Sequence, residues 1–218
     1  MTRAALFDVD GTLADTNHLH VVAWWEAFRQ AGHRIPMHSV HRAVGLGSMD
    51  LIGHLLGEDR DTDQDAVIAA AHRTVYGQWL DRLPALASAG QLLRTLAARD
   101  WRVVLVTSAS GPELDALRRA IDADDAVHGT TSSDDVSAGK PAPEPVLQGL
   151  ELAGAEPRSA VFVGDTVWDM QAAARAGVPA VGLLCGGIPR VDLERAGARA
   201  VYADPDHLLS GLDTSPLG

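Results

Sequence analysis

Short, unbroken apolar runs recur along the chain: RAALFD, RVVLVT, SAVFVGD, PAVGLL and ARAVYAD. A strand with one wet face alternates apolar and polar residues, whereas a continuous run belongs to a strand covered on both faces, as in a parallel sheet. Between these runs, helical spacing predicts helices around 87–99, 112–121, 143–153, 169–176 and 189–196. Strands and helices in alternation predict an α/β fold, a doubly wound, mostly parallel sheet.

The stretch from Thr16 to Leu83 breaks that alternation. HVVAWWEAFRQAG, SMDLIGHLLG and DAVIAAAHRTVYGQWL carry helical periodicity, and no segment there reads as a strand. It starts just after the first strand and stops before Pro84. The expected organisation is an α/β core of residues 1–15 and 84–218 with a helical domain, 16–83, inserted into it. Two connections, near Asp15–Thr16 and near Asp81–Pro84, then join the modules and form a candidate hinge. Within the insert, DRDTDQDAV has the first acids of a calcium loop, but Gln64 stands where the sharp turn needs glycine and Ala70 where a bidentate acid is needed. It reads instead as a helix start capped by Thr62. Trp24, Trp25 and Trp79 are expected mainly to pack, and the tail LDTSPLG to be a loose end.

Composition narrows the partners. With 218 residues, 46% of them hydrophobic, the chain has ample material for a buried core. A formal charge of −11 argues against nucleic acid or an anionic membrane, since both attract positive charge. The apolar run at the start ends at Asp8, too soon for a signal peptide. No run approaches the roughly 18 apolar residues of a spanning helix. Cys185 is the only cysteine, so no internal disulfide forms, and a cytoplasmic location is expected.

In an open parallel sheet, ligands bind beyond the carboxyl ends of the strands. RAALFD is followed there by Asp8 and Asp10, RVVLVT by Thr107 and Ser108, and SAVFVGD by Asp165. Asp8 and Asp10 point the same way if extended geometry continues. With Asp165 they make an oxygen-only set suited to a hard cation such as magnesium. Asp169 either holds a metal-bound water or caps its helix. The loop SAGKPAPEP contributes Lys140, the only lysine among 18 basic residues. A compact point charge is thus kept where arginine serves everywhere else.

DVDGTLADT, VTSAS, GKPAPEP and GDTVWD, in this order, resemble the four signature motifs of the haloacid dehalogenase superfamily, and the resemblance covers residues 4 to about 183. The 16–83 insert resembles the helical cap of its phosphoglycolate phosphatase-like and β-phosphoglucomutase-like members. The resemblance implies a Rossmann-like core and a covalent route. Asp8 is then the nucleophile, and Asp10 the acid that protonates the leaving oxygen and the base that activates water. Mg2+ is held by Asp8, the Asp10 backbone carbonyl and Asp165, with Asp169 behind them. Phosphate is gripped by Thr107, Ser108, Lys140 and the backbone amide at Gly11.

The partner so implied is a small phosphorylated metabolite, of phosphoglycolate or sugar phosphate type, and the chain is a monomer or a homodimer. In the cap, His20, Arg42, Gly45 and Ser48 are candidate specificity residues, with packing or solvation as the alternative for His20 and Arg42. His20 resembles a histidine that helps control the acid/base aspartate in β-phosphoglucomutases. The mutases also carry a cap arginine and a cap lysine for the second phosphate, and near that arginine this chain has Met49 and no lysine. A phosphatase is therefore preferred to a mutase. A metal- or partner-binding module that keeps the fold without catalysis is the alternative class. No motif residue is lost, which favours the enzyme.

Overall fold

The computed structural model describes residues 2–132 and 138–218; Met1 and residues 133–137, including the first residue of SAGKPAPEP, lie outside the described residues. Six parallel strands form one sheet in the order β3-β2-β1-β4-β5-β6. They are β1 (Arg3–Phe7), β2 (Trp101–Val106), β3 (Val127–Thr131), β4 (Ala160–Gly164), β5 (Ala180–Leu183) and β6 (Ala198–Tyr202). Five coincide with the apolar runs. The sixth, β3, reads VHGTT and was not expected: at the sheet edge it is only partly covered, so its sequence lacks the apolar signal.

Both faces of the four interior strands are dry, which explains their continuous runs. Ala5, Phe7, Val103, Leu105, Val161 and Val163 enter one hydrophobic cluster, and the alternate residues Ala4, Leu6, Val104, Val106, Ala160 and Phe162 enter another. The first face is covered by α5 (Ala89–Ala98), α6 (Gly111–Ile121) and α10 (Pro205–Ser210), the second by α7 (Glu144–Ala153), α8 (Val167–Arg175) and α9 (Arg190–Ala196). The tail differs from expectation. Leu212 and Leu217 are buried in the first cluster, so LDTSPLG seals the core instead of fraying.

Between β1 and α5 the chain is helical: α1 (Asn17–Gln30), α2 (Met37–Ala43), α3 (Ser48–Leu56) and α4 (Asp65–Tyr76). These helices have a hydrophobic cluster of their own, built from Val21, Trp24, Phe28, Val40, Leu51, Ile52 and Ile68 among others. The α4 start is corrected. Asp61, not Thr62, is the capping residue, its carboxylate accepting from the Asp63 amide, and Thr62–Gln64 form a 3-10 turn ahead of the helix. The two connections that bound this layer are tied to each other, Asp15 N–H donating to Pro84 O (2.9 Å) and Leu86 N–H to Leu13 O (2.9 Å).

Candidate active site

Parallel register sets the site. Phe7 lies level with Leu105 on one side and Val163 on the other, so the residues that follow leave the sheet at one edge. The ladder runs one step further, Asp8 N–H donating to Val163 O (2.9 Å) and Thr107 N–H to Thr131 O (3.2 Å). Asp8, Thr107 and Asp165 are delivered there by three adjacent strands, and Lys140 by the loop before α7. All four are buried.

Lys140 Nζ donates to Asp8 Oδ1 and, at 2.8 Å, to Asp169 Oδ1, with its ammonium 5.6 Å from the centre of the Phe162 ring. Burial works against its charge, but Asp169 and Asp8 hold its pKa above the ordinary lysine value. Asp169 also completes a reciprocal cap on α8: Thr166 Oγ1 accepts from the Asp169 amide (3.2 Å), and Asp169 Oδ2 accepts from the Thr166 amide (3.0 Å) and hydroxyl (2.6 Å). One carboxylate thus fixes both a helix end and the lysine.

Asp165 is fully buried, its Oδ1 accepting from Thr12 Oγ1 and its Oδ2 from Asn17 Nδ2, each at 2.8 Å. Carboxylate oxygens of Asp8, Asp165 and Asp169 lie within 4.8 Å of one another. Burial pushes the Asp8 carboxyl well above its usual range; Lys140 pulls it down, and Asp169 and Asp165 push it further up. Burial and then Asp169 raise Asp165 to about 7. Three buried carboxylates against one ammonium form an oxygen-only, under-neutralised set, and a hard divalent cation fits it. Asp169, expected to hold a metal-bound water or to cap its helix, caps α8 and brings its Oδ1, bound to Lys140, to the edge of this cluster.

The Asp10 carboxylate turns away from that cluster. Its Oδ1 accepts from Thr16 Oγ1 (2.6 Å) and lies 3.2 Å from His20 Nε2. Burial raises its pKa, but the His20 hydrogen bond and charge, with Thr16, outweigh this and hold it below the ordinary value. Burial lowers the His20 pKa, but Asp10 and then Glu113 raise it on balance. His20 Nδ1 is 3.2 Å from His72 Nε2 on α4, and its ring stacks on Tyr76 with centroids 4.0 Å apart. Trp24 in turn stacks on His72 at 3.9 Å. Desolvation, followed by the His20 and Arg73 charges, drives His72 down to about 2, so it is neutral. A neutral ring behind His20 leaves the Nε2 side of His20 aimed at Asp10.

A cavity of about 140 Å³ lies over Asp8 and Asp10, walled by His20, Trp24, Gly45, Ser48, Arg73, Ser108, Ser110 and Glu113 among others. Thr107, Ser108 and Lys140 border a second one beside it, with Gly45, Ser48 and Met49. Of the expected specificity residues, His20, Gly45 and Ser48 face this region. Arg42 does not: its guanidinium pairs with Asp192 on α9 (2.8 Å), and its carbonyl accepts from Trp168 Nε1 (3.1 Å). It belongs to a contact between α2 and the core, outside the cavity.

Gly11 also differs from expectation. Its amide donates to Ala14 O (2.7 Å) and is committed to the turn, not to a phosphate. The residue matters for its φ of +77° and for clearance, because a Cβ there would lie 2.3 Å from Asn17 Nδ2 and 2.5 Å from Asp165 Oδ2. Gly186 is tighter still, its hypothetical Cβ falling 1.7 Å from Asp165 Oδ2. Cys185, next to it, donates to Gly11 O (3.1 Å), and burial raises its thiol to about 12, as suits a packed, unreactive side chain.

Sequence reasoning missed Thr12, Thr16, Asn17, His72, Glu113 and Gly186. Thr12 and Thr16 lie within DVDGTLADT, where a hydroxyl four residues from Asp8 or six from Asp10 was an available signal. His72 is 52 residues from His20 and on another helix, so nothing local points to it.

The model of haloacid dehalogenase-like hydrolases matches residues 2–177. The chain belongs to this family. It is 29% identical over 217 residues to the phosphoglycolate phosphatase of Rhodospirillum rubrum, covering 94% of this chain and 88% of that one. A hydrolase from Pseudomonas syringae superposes with a TM-score of 0.92 at 33% identity, over 97% of this chain and 98% of the other. The β-phosphoglucomutase of Clostridium difficile, 18% identical, shares the fold with a TM-score of 0.82 over 95% and 93% of the two chains.

Proposed function

We propose that this hydrolase is a magnesium-dependent phosphatase that cleaves a small phosphomonoester, of phosphoglycolate or sugar phosphate type, through an aspartyl phosphate on Asp8. The observation that carries the reading is the buried cluster at the end of β1, where Lys140 bridges Asp8 and Asp169 beside Asp165 and beneath a cavity that also contains Asp10.

Asp8 Oδ1 is engaged by Lys140, while Oδ2 has only a 3.4 Å contact from Thr12 Oγ1 and is the freer oxygen for attack. Attack on phosphorus forms the Asp8–phosphoryl bond and breaks the ester bond, with Asp10 giving a proton to the departing alcohol oxygen. Water then attacks the aspartyl phosphate, Asp10 takes its proton, and inorganic phosphate leaves with Asp8 restored. Thr16 and His20 both engage Asp10 Oδ1, which leaves Oδ2 for these transfers. Thr107 and Ser108 hold phosphoryl oxygens, and Lys140 offsets charge on the nucleophile and the transferring group. Asp8 and Asp165, with Asp169 beside them and the Asp10 carbonyl, would hold a divalent cation, which would neutralise charge where one anion must approach another.

The helical layer of residues 16–83 is proposed as a cap over the α/β core of 1–15 and 84–218. A mutase needs fixed cations for a second phosphate. Met49 is half-exposed beside the second cavity, and Arg73 is the one lysine or arginine among the first cavity's lining residues. The phosphatase reading is kept on that ground.

The test is release of p-nitrophenol from p-nitrophenyl phosphate, with and without magnesium, by the wild type and Asp8→Asn. Turnover that needs both the cation and Asp8 is the expected result. If release is absent, or indifferent to both, the chain is a binding module that has kept the fold.

A further inference from the structure

We propose that Glu113 makes this pocket select phosphomonoesters whose alcohol part is uncharged, a polyol or sugar, and reject those with a second anionic group one or two carbons from the scissile phosphate. The inference rests on the phosphatase reading and narrows its substrate class.

Glu113 lies in the first turn of α6, in the same segment as Ser108 and Ser110, so it belongs to the core and keeps its place relative to the phosphate site. Its Oε1 is 3.7 Å from His20 Nε2, and its side chain is 23% exposed on the cavity wall. The cluster Asp10, His20 and Glu113 has ligand atoms within 4.8 Å of one another. A leaving oxygen protonated by Asp10 must therefore emerge beside Glu113.

The charges on that wall are unequal. Asp10 and Glu113 face the leaving group, and His20 is shared between them, its Nε2 3.2 Å from Asp10 Oδ1 and 3.7 Å from Glu113 Oε1. The Lys140 ammonium lies between Asp8 and Asp169. Arg73 is exposed at the rim on α4, and its charge already acts on Glu113. A substrate carboxylate close to the phosphate would meet a carboxylate in a partly desolvated space, where like charges cost most. Hydroxyls fare better, because Ser48, Ser110 and Glu113 all offer hydrogen-bonding groups. Burial, opposed by the His20 charge and aided by that of Asp10, pushes Glu113 up to about 7, so an assay at pH 8.5 finds it ionised.

Three substrates of nearly equal size differ only in tail charge: 2-hydroxyethyl phosphate, phosphoglycolate and phosphoethanolamine. For the wild type at pH 8.5, kcat/KM for phosphoglycolate is expected to be lower than for 2-hydroxyethyl phosphate by about tenfold or more, with phosphoethanolamine not penalised. In Glu113→Gln, and in Glu113→Ala should the first fold poorly, that ratio should shrink to within about threefold. A wild type that prefers phosphoglycolate, or a ratio unmoved by both substitutions, overturns the inference while leaving the phosphatase reading intact. No Asp8-dependent phosphate release from any of the three, nor from p-nitrophenyl phosphate, overturns both.

Discussion

At the scale of single residues, the site depends on how one ammonium is shared. Lys140 touches two carboxylates at once and lies over the Phe162 ring, so its shape is fixed as tightly as its charge. A guanidinium is planar and broader, and two parallel donors cannot replace one nitrogen set between Asp8 and Asp169 without moving one of them. Lys140→Ala is expected to reduce kcat by about 10²–10³-fold, the scale of losing one preorganised electrostatic donor. Lys140→Arg should also lose most of the turnover while circular dichroism shows a folded chain; near wild-type kcat in either variant would sink the assigned role. The residues picked out in the sequence that the structure brings to one edge of the sheet, Asp8, Asp10, Thr107, Lys140 and Asp165, are those that sit at strand ends or in one loop. Arg42 stayed open between substrate contact and packing because helical periodicity tells which side of α2 it occupies but not what faces that side. His72 and Glu113 were missed because their meaning comes from His20, which the chain brings from a different helix.

At the scale of elements, α8 links fold and chemistry. Its capping box satisfies buried amides at the helix start that would otherwise lack partners, and at the same time orients Asp169 toward Lys140. Thr166→Val keeps the volume and removes the hydroxyl that Asp169 Oδ2 accepts from. Loss of such a cap costs about 1 kcal/mol, with 0.5–2 as the usual range. For a chain of this size that is a fall in Tm of about 2–4 °C. If Asp169 positions Lys140 as the contacts indicate, kcat should drop as well, with KM little changed; a lower Tm with unaltered kcat would make the cap structural only. Elements with a strong pattern were legible: the four interior strands, the edge strand β6 through its apolar run, and the helices at 89–98, 111–121 and 144–153. Weak ones were not. VHGTT pairs at the edge through its backbone, which any sequence can do, and the short helix α10 is held by the core cluster more than by its own six residues.

At the scale of the molecule, the helical layer meets the core through apolar packing, Ala23, Tyr76 and Leu83 entering the first core cluster, and through polar contacts around the cavity. His41 Nε2 lies 2.9 Å from Gly186 O, Asn17 reaches Asp165, and Arg42 pairs with Asp192 across half-exposed surface. A Cβ on Gly45 would fall 2.9 Å from Thr166 Oγ1, so the layer comes against the α8 cap as closely as a glycine allows. The exposed Arg42–Asp192 pair contributes only about 0–1 kcal/mol and so does little to hold the layer in place. The twin connections, hydrogen-bonded through Asp15 and Leu86, are where a motion of the layer would be absorbed. If the layer works as the proposed cap, opening would admit substrate, and closing would restore the His20–Asp10 contact seen here and keep water from the proposed aspartyl phosphate. Addition of magnesium with fluoride, to mimic the phosphoryl group on Asp8, should reduce the radius of gyration in X-ray scattering. It should also slow amide exchange in α2 and in the Gly45–Ser48 turn, while Asp15 and Leu86 stay protected in both states. Scattering curves that coincide, together with unchanged exchange in α2, would mean that the layer is a fixed roof and that substrate enters without it moving.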